Sequence, residues 1–315
     1  MNKAVFLFPG QGSQYEGMAE DLYERFAEAR EIIDQADRLL GFPLSELMFG
    51  KSAEGDAALK RTDRTQPALY VHSMAVMAIL RRTDLRAAMA AGHSLGEYSA
   101  LVAAGALSFE DGLRLVRCRG ELMANADDER PGAMAAVLGM EDDQVIRACE
   151  EVSGASDSVV AANFNAPGQV VISGDASAVE RAMQEVRARG ARRVVQLPVN
   201  GAFHSPLMEQ ARGGLERALS GCTIRSPLFP VYLNVTALAT CDPEEIRQAL
   251  VAQLTSPVYW SRSLRNMHED GADGYIEIGA GNVLCGLARR TLGRDIKTVF
   301  AGKAEELALI LARAC

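Results

Sequence analysis

The stretch Ala87-Ala88-Met89-Ala90-Ala91-Gly92-His93-Ser94-Leu95-Gly96-Glu97-Tyr98-Ser99-Ala100-Leu101-Val102-Ala103-Ala104-Gly105 decides how the rest of the chain is read. At its centre, Gly92-His93-Ser94-Leu95-Gly96 fits Gly-x-Ser-x-Gly, the pattern of a sharp strand-to-helix turn that lifts a serine hydroxyl out of a sheet. Its glycines let two backbone segments pass with no Cβ between them. Residues 87–91 are apolar and of strand length, and residues 95–104 have helical composition that stops at Gly105. Alanine is a poor strand former, so the strand rests on the motif itself. The alternative is a Gly-rich turn with an incidental serine. The flanks favour the nucleophile, with Ser94 at the start of a helix whose free N–H groups favour negative charge. The N–H of Leu95 is then a natural oxyanion donor, and a second must come from another loop.

Working outward, residues 4–8 form an apolar run that breaks into Pro9-Gly10-Gln11-Gly12-Ser13-Gln14. This predicts a buried strand ending in a Gly-rich loop, and the loop around Gln11 is the candidate second donor. Helical sequence follows over 15–40 and 67–82. Strands are expected at 231–235, 274–278 and 298–300 with helices between them, which predicts a mostly parallel, helix-covered sheet. Residues 133–196 have another rhythm. Strand 133–138, helix 142–152, strands 158–162 and 169–173 around Asn165-Ala166-Pro167-Gly168, helix 176–188 and strand 193–197 give βαββαβ, the ferredoxin-like order. The fold class is therefore α/β. A larger α/β domain built from 1–130 and 199–315 is expected to carry an inserted subdomain, 131–198.

A serine nucleophile needs a base, and the chain has four histidines. His93 adjoins Ser94 and is poorly placed to reach it. His72 and His268 lie in helical sequence and read as packing or surface residues. His204 sits in Gly201-Ala202-Phe203-His204-Ser205-Pro206, where Ser205 can cap a helix starting at Pro206. The positive end of that helix would keep the imidazole neutral, ready to accept a proton, although His204 could also merely serve the turn. It lies 110 positions after Ser94, with most of the intervening chain in the expected insert. That order fits an esterase badly, since a triad acid normally falls between the two and the histidine comes late. A Ser-His dyad, its imidazole oriented by a carbonyl, fits better.

Ser108-Phe109-Glu110-Asp111 reads as a capped helix start. Along the helix that follows, Leu115, Val116, Leu122 and Met123 form an apolar stripe with Arg119 in its middle. A buried guanidinium needs an anion. The residues alone leave three options open: an internal ion pair, a stem that reaches out to water, or a substrate carboxylate held by both prongs.

The bulk numbers are those of a globular protein. Of 315 residues 48% are hydrophobic and 23% charged, enough for one or two cores without metal or disulfide staples. No run is long enough for a membrane span, and the apolar run near the N-terminus is too short for a signal peptide, so a cytoplasmic protein is expected. The six cysteines, 118, 149, 222, 241, 285 and 315, are scattered, giving neither a metal motif nor a CxxC pair and reading as reduced thiols. A net charge of −8 argues against nucleic acid as a partner.

Five motifs carry a resemblance that runs nearly end to end: Phe8-Pro9-Gly10-Gln11-Gly12-Ser13-Gln14, Gly92-His93-Ser94-Leu95-Gly96-Glu97, Arg119-Gly120 with Met123, Gly201-Ala202-Phe203-His204-Ser205, and Gln253 with Ser256-Pro257-Val258. In that order the chain resembles the malonyl-CoA:acyl carrier protein transacylases and the related acyltransferases of polyketide synthesis, including those acting in trans. The resemblance implies a hydrolase-like domain with a ferredoxin-like insert, an acylated Ser94, and His204 as base and acid. It implies an oxyanion hole from the N–H groups of Gln11 and Leu95, and Arg119 as the holder of a malonyl carboxylate. Gln253 matches the position whose carbonyl orients the histidine, and Phe203 an aromatic position that opposes a 2-methyl branch. Met123 is implied beside the substrate, and Asn165 and Gln169 at the thioester entrance. The implied substrates are malonyl-CoA and a phosphopantetheinylated acyl carrier protein. From the sequence no further cofactor, no metal and no membrane partner are expected, and a monomer is preferred while the oligomeric state stays open. The rival expectation is a hydrolase that clears acyl groups from carrier proteins with the same Ser94 and His204. Two arginine clusters, at 187, 189, 192 and 193 and at 289, 290 and 294, are either carrier-protein contacts or solvated helix faces.

Overall fold

The computed structural model describes the whole chain except Asn2, Arg130, Asn200 and Cys315, and except the side chains of Asp56, Asp127, Asp128, Glu129, Arg313 and Ala314. The expected boundary at 130 and the sixth cysteine therefore lie outside the described residues.

Among the described residues ten strands make two sheets: β1 (Ala4–Phe8), β2 (Met89–Gly92), β3 (Gly132–Leu138), β4 (Val159–Ala166), β5 (Gln169–Asp175), β6 (Arg193–Gln196), β7 (Val231–Tyr232), β8 (Ala239–Thr240), β9 (Gly274–Ile278) and β10 (Thr298–Ala301). The larger sheet has the order β10-β9-β1-β2-β7-β8. Every neighbour pair is parallel except β7 with β8. β1 lies inside it, between β2 and β9, and all five of its residues are buried. A continuous apolar strand is what a parallel sheet covered on both faces demands. Phe6 and Phe8 join one core layer and Val5 and Leu7 the other.

The smaller sheet has the order β4-β5-β3-β6, antiparallel throughout. Helices Asp142–Val152 and Ala176–Ala188 cover one face, over a core including Val137, Val145, Ile172 and Val179. Met134 and Val171 point the other way, into the main core. The edge strand β4 is tied to the larger unit at Val258, whose N–H donates to the Ala162 carbonyl at 2.8 Å and whose carbonyl accepts from Phe164 N at 2.9 Å.

Several local expectations need correction. The helix expected over 15–40 is two, Glu20–Arg25 and Ala27–Leu40, because Phe26 between them is extended. Residues before Glu20 are turns, held by Gly17 N donating to the Met48 carbonyl. The helix expected from 67 begins a turn earlier, as Thr62–Leu80, with Pro67 inside it. The strand expected over 231–235 ends at Tyr232, because the chain turns at Leu233, whose N–H donates to Leu238 O. Asn165 is not in the hairpin turn. β4 runs on to Ala166 through two irregularities of register, and the turn is reduced to Pro167 and Gly168.

Candidate active site

Ser94 stands between β2 and helix Gly96–Ala103 with φ +50°, a left-handed conformation costly for a side-chain-bearing residue. Its neighbours explain how the turn survives. A Cβ on Gly92 would fall 1.8 Å from the Gly96 carbonyl carbon, and one on Gly96 would fall 2.1 Å from Phe8 O. Both positions must be glycine for strand, turn and helix to pack this closely. Asn234 clips the turn from outside, its Oδ1 accepting from Ser94 N at 2.6 Å and its Nδ2 donating to Gly92 O at 2.7 Å.

His204, also left-handed at φ +59°, brings its Nε2 to 2.8 Å from Ser94 Oγ. Its Nδ1 lies 2.7 Å from the backbone carbonyl of Gln253. A carbonyl can only accept, so Nδ1 carries the proton and Nε2 presents a lone pair to the serine hydroxyl. Burial, then the nearby Arg119 charge, pushes the imidazole down to about 3. The ring is thus neutral, but not for the reason the sequence suggests. Ser205 does cap, accepting from Leu207 N, yet the element it caps is a three-residue 3-10 turn, Pro206–Met208, with little dipole.

Helix Phe109–Glu129 delivers Arg119. Its start is capped as expected, with Ser108 Oγ accepting from Asp111 N at 3.0 Å and donating to the Asp111 carboxylate at 2.9 Å. Arg119 is 1% exposed, which removes the option of a stem reaching water. Its Nη2 donates to Ser94 Oγ at 2.9 Å and to Gln253 Oε1 at 2.8 Å, and its Nη1 donates to Gln66 Oε1 at 2.8 Å. Gln66 in turn donates to Met123 Sδ at 3.3 Å. Among the described residues no carboxylate forms an ion pair with this guanidinium.

These groups meet at a cavity of about 160 Å³. Gln11, Ser94, Leu95, Arg119, Met123, Asn165, Phe203 and His204 all line it. Gln11 comes close because a Cβ on Gly10 would fall 2.3 Å from His93 O, so the loop after β1 lies against the elbow. Asn165 Oδ1 is 2.8 Å from His93 Nε2, which gives His93 a partner other than its neighbour serine. Gln169 does not line the cavity. It opens β5 on the outer side of the hairpin, where Arg290 Nη1 donates to its Oε1 at 2.9 Å. Of the remaining histidines, His72 is buried against the Gly302 carbonyl and His268 is exposed.

The sequence model of the acyl transferase domain family matches residues 5–306. Over 312 residues the chain is 43% identical to the malonyl CoA-acyl carrier protein transacylase of Bacillus subtilis (strain 168), covering 99% of this chain and 97% of that one. The chain belongs to the malonyl-CoA:acyl carrier protein transacylase family. The transacylase of Staphylococcus aureus (strain MRSA252) is 42% identical over 297 residues, 94% of each chain. Among solved structures, the malonyl-CoA:acyl carrier protein transacylase from Xanthomonas oryzae pv. oryzae superposes with a TM-score of 0.94 at 41% identity, covering 100% of this chain and 99% of that one. A malonyl-transacylase in complex with a type II PKS acyl-carrier protein gives 0.94 at 38%, covering 99% of each.

Within this transacylase frame, three side chains at the site escaped the sequence reading. Gln66 sits in helical sequence with no local signal. Asn234 sits just past a parallel strand, at the carboxyl end where open α/β sheets place ligands, and that was the one available hint. Asn163, two residues before Asn165, also lines the cavity. Strand alternation puts both on one face, so Asn165 implied it.

Proposed function

We propose that this chain transfers malonyl groups from malonyl-CoA to the phosphopantetheine thiol of an acyl carrier protein through a malonyl-Ser94 intermediate. One observation carries the reading: Ser94 Oγ is within hydrogen-bond reach of both a neutral imidazole and a buried guanidinium that, among the described residues, lacks a carboxylate partner. The first is equipment for acyl transfer, the second for an acyl group bearing an anion. A cavity of about 160 Å³, roughly five water volumes, suits a short acyl unit.

Ser94 attacks the thioester carbon as its proton passes to His204 Nε2, while the Gln253 carbonyl holds Nδ1–H and supports the developing imidazolium. The new oxyanion is received by the N–H groups of Leu95 and Gln11. Collapse breaks the C–S bond, and His204 returns its proton to the departing CoA sulfur. The carrier's thiol then enters by the same steps in reverse order, giving its proton to His204 and leaving Ser94 free. Arg119 binds the malonyl carboxylate throughout and leaves an acetyl group without that contact. We read the catalytic unit as 1–130 with 199–315 and the smaller unit as 131–198, the cavity being lined from both. Fatty-acid and polyketide carriers are both compatible acceptors, with Arg289, Arg290 and Arg294 as candidate contacts for an acidic carrier.

Intact-protein mass tests this after mixing with malonyl-CoA or acetyl-CoA, with and without pantetheinylated carrier protein, beside a Ser94→Ala control. A malonyl adduct that needs Ser94 and passes to the carrier is expected. An adduct that water removes as fast as the carrier does would mean a hydrolase instead.

A further inference from the structure

Glu97 takes no part in those steps, yet it lies fully buried three residues after the nucleophile. Its Oε2 accepts from Asn234 N at 2.8 Å and from Gln253 Nε2 at 3.1 Å, and its Oε1 has no hydrogen-bond partner among the described residues. Gln253 therefore stands between a carboxylate and a guanidinium, with Nε2 toward Glu97 and Oε1 accepting from Arg119. A carboxamide has donors at one end and an acceptor at the other. An ionised, acceptor-only Glu97 consequently dictates that Arg119 meets oxygen and not a competing NH2.

Two demands conflict at Arg119. A buried guanidinium without a counter-charge is costly, but a direct ion pair would occupy the prongs that a substrate carboxylate needs. An anion held one side chain away meets both demands. Resting on the transferase reading above, we propose that Glu97 is the resident counter-ion of Arg119, coupled through Gln253, and that it keeps the cation compensated while its direct partners stay neutral until the malonyl carboxylate arrives. Glu97 is then a positioning and selectivity residue, one layer beneath the reacting atoms. Burial pushes its carboxyl up to about 7 against the Asn234 N–H, the Gln253 amide and Arg119, all of which favour the charged form. At pH 8, above that value, the ionised form is the major one.

Glu97→Gln isolates the charge, because a glutamine oxygen can still accept from Asn234 N and Gln253 Nε2. With the resident anion gone, the malonyl carboxylate becomes the only counter-charge. At pH 8 the variant's KM for malonyl-CoA is expected to fall about tenfold, with KM for acetyl-CoA unchanged. Free Glu97→Gln should melt below the wild type, and malonyl loading of Ser94 should raise its Tm by more than loading raises the wild type's. Equal loading shifts in both proteins, or a KM change shared by both donors, would overturn the inference while leaving the transferase reading intact. A wild type that accepts no malonyl would overturn both. If Glu97→Gln does not fold, the double variant Glu97→Gln/Arg119→Met decides. Folding restored by removing both charges supports the pair, and failure to fold assigns Glu97 to the scaffold and refutes the counter-ion role.

Discussion

Replacing Arg119 by Met keeps most of the buried volume and removes the guanidinium within reach of Ser94 Oγ. Two losses can be separated. The Nη2 contact to Ser94 Oγ at 2.9 Å serves any acyl donor. A charged hydrogen bond of this kind is worth about 1.5–3 kcal/mol, so loading of malonyl and acetyl alike should slow by at least roughly tenfold. The proposed contact to the substrate carboxylate would serve malonyl alone. Truncating one member of a buried charge pair costs about 2–5 kcal/mol, which removes a further factor of roughly 30 to several thousand from kcat/KM for malonyl-CoA. The ratio of malonyl to acetyl loading is therefore expected to fall by at least roughly thirtyfold, whatever happens to the common rate. The assay is the initial rate of adduct formation on Ser94, followed by intact mass with each donor over a range of concentrations. An equal fall for both donors would refute the clamp and leave Arg119 with a role at the nucleophile only.

Three further outcomes follow from the same geometry. Phe203 is buried and lines the cavity, so Phe203→Ala should raise loading of methylmalonyl relative to malonyl by about tenfold; an unchanged ratio, measured in competition, removes it from branch selection. Asn234→Ala leaves Ser94 N and Gly92 O without their partner, at about 1–3 kcal/mol for each group, and should lower both Tm and the single-turnover loading rate. Asn234→Asp keeps the acceptor for Ser94 N but loses the donor to Gly92 O, so it should fall between alanine and wild type. His72 is held by burial at about 4, below its ordinary 6.5, despite its contact to the Gly302 carbonyl. The fold accepts the neutral ring, so this stabilisation is complete above pH 6.5 and is lost as pH falls through 4, to a total of about 3 kcal/mol. Melting scans from pH 7 to 4 should show a steeper decline in wild type than in His72→Gln, and parallel curves would refute the assignment.

Much of the architecture was legible because it depends on local pattern. β1 and β9 were found to the residue, as were helices Asp142–Val152 and Ala176–Ala188. An apolar run bounded by turn residues, or a 3.6-residue stripe, is fixed by neighbours along the chain. The errors fall where contacts distant in sequence override local preference. Phe26 breaks a helix that periodicity would continue, and β7 stops after two residues so that Asn234 can face the elbow. β4 carries Asn165 past the turn signal because its irregular register and the Val258 segment hold it in extended form.

The site divides in the same way. By itself the sequence singled out Ser94, His204 and Arg119, since a glycine-bounded serine, a histidine before a capped turn and an arginine in an apolar stripe are anomalies visible along one segment. It left open whether that arginine faced an internal carboxylate, water or substrate. Only the tertiary structure could bury the head group away from water and give it, among the described residues, partners that are not carboxylates, because burial and the identity of partners 25, 53 and 134 positions away are properties of the packed chain. It also decided why His204 is neutral. The sequence offers a helix dipole, which a single 3-10 turn cannot supply, whereas loss of water and a neighbouring guanidinium can, and both exist only once the chain has closed around the site.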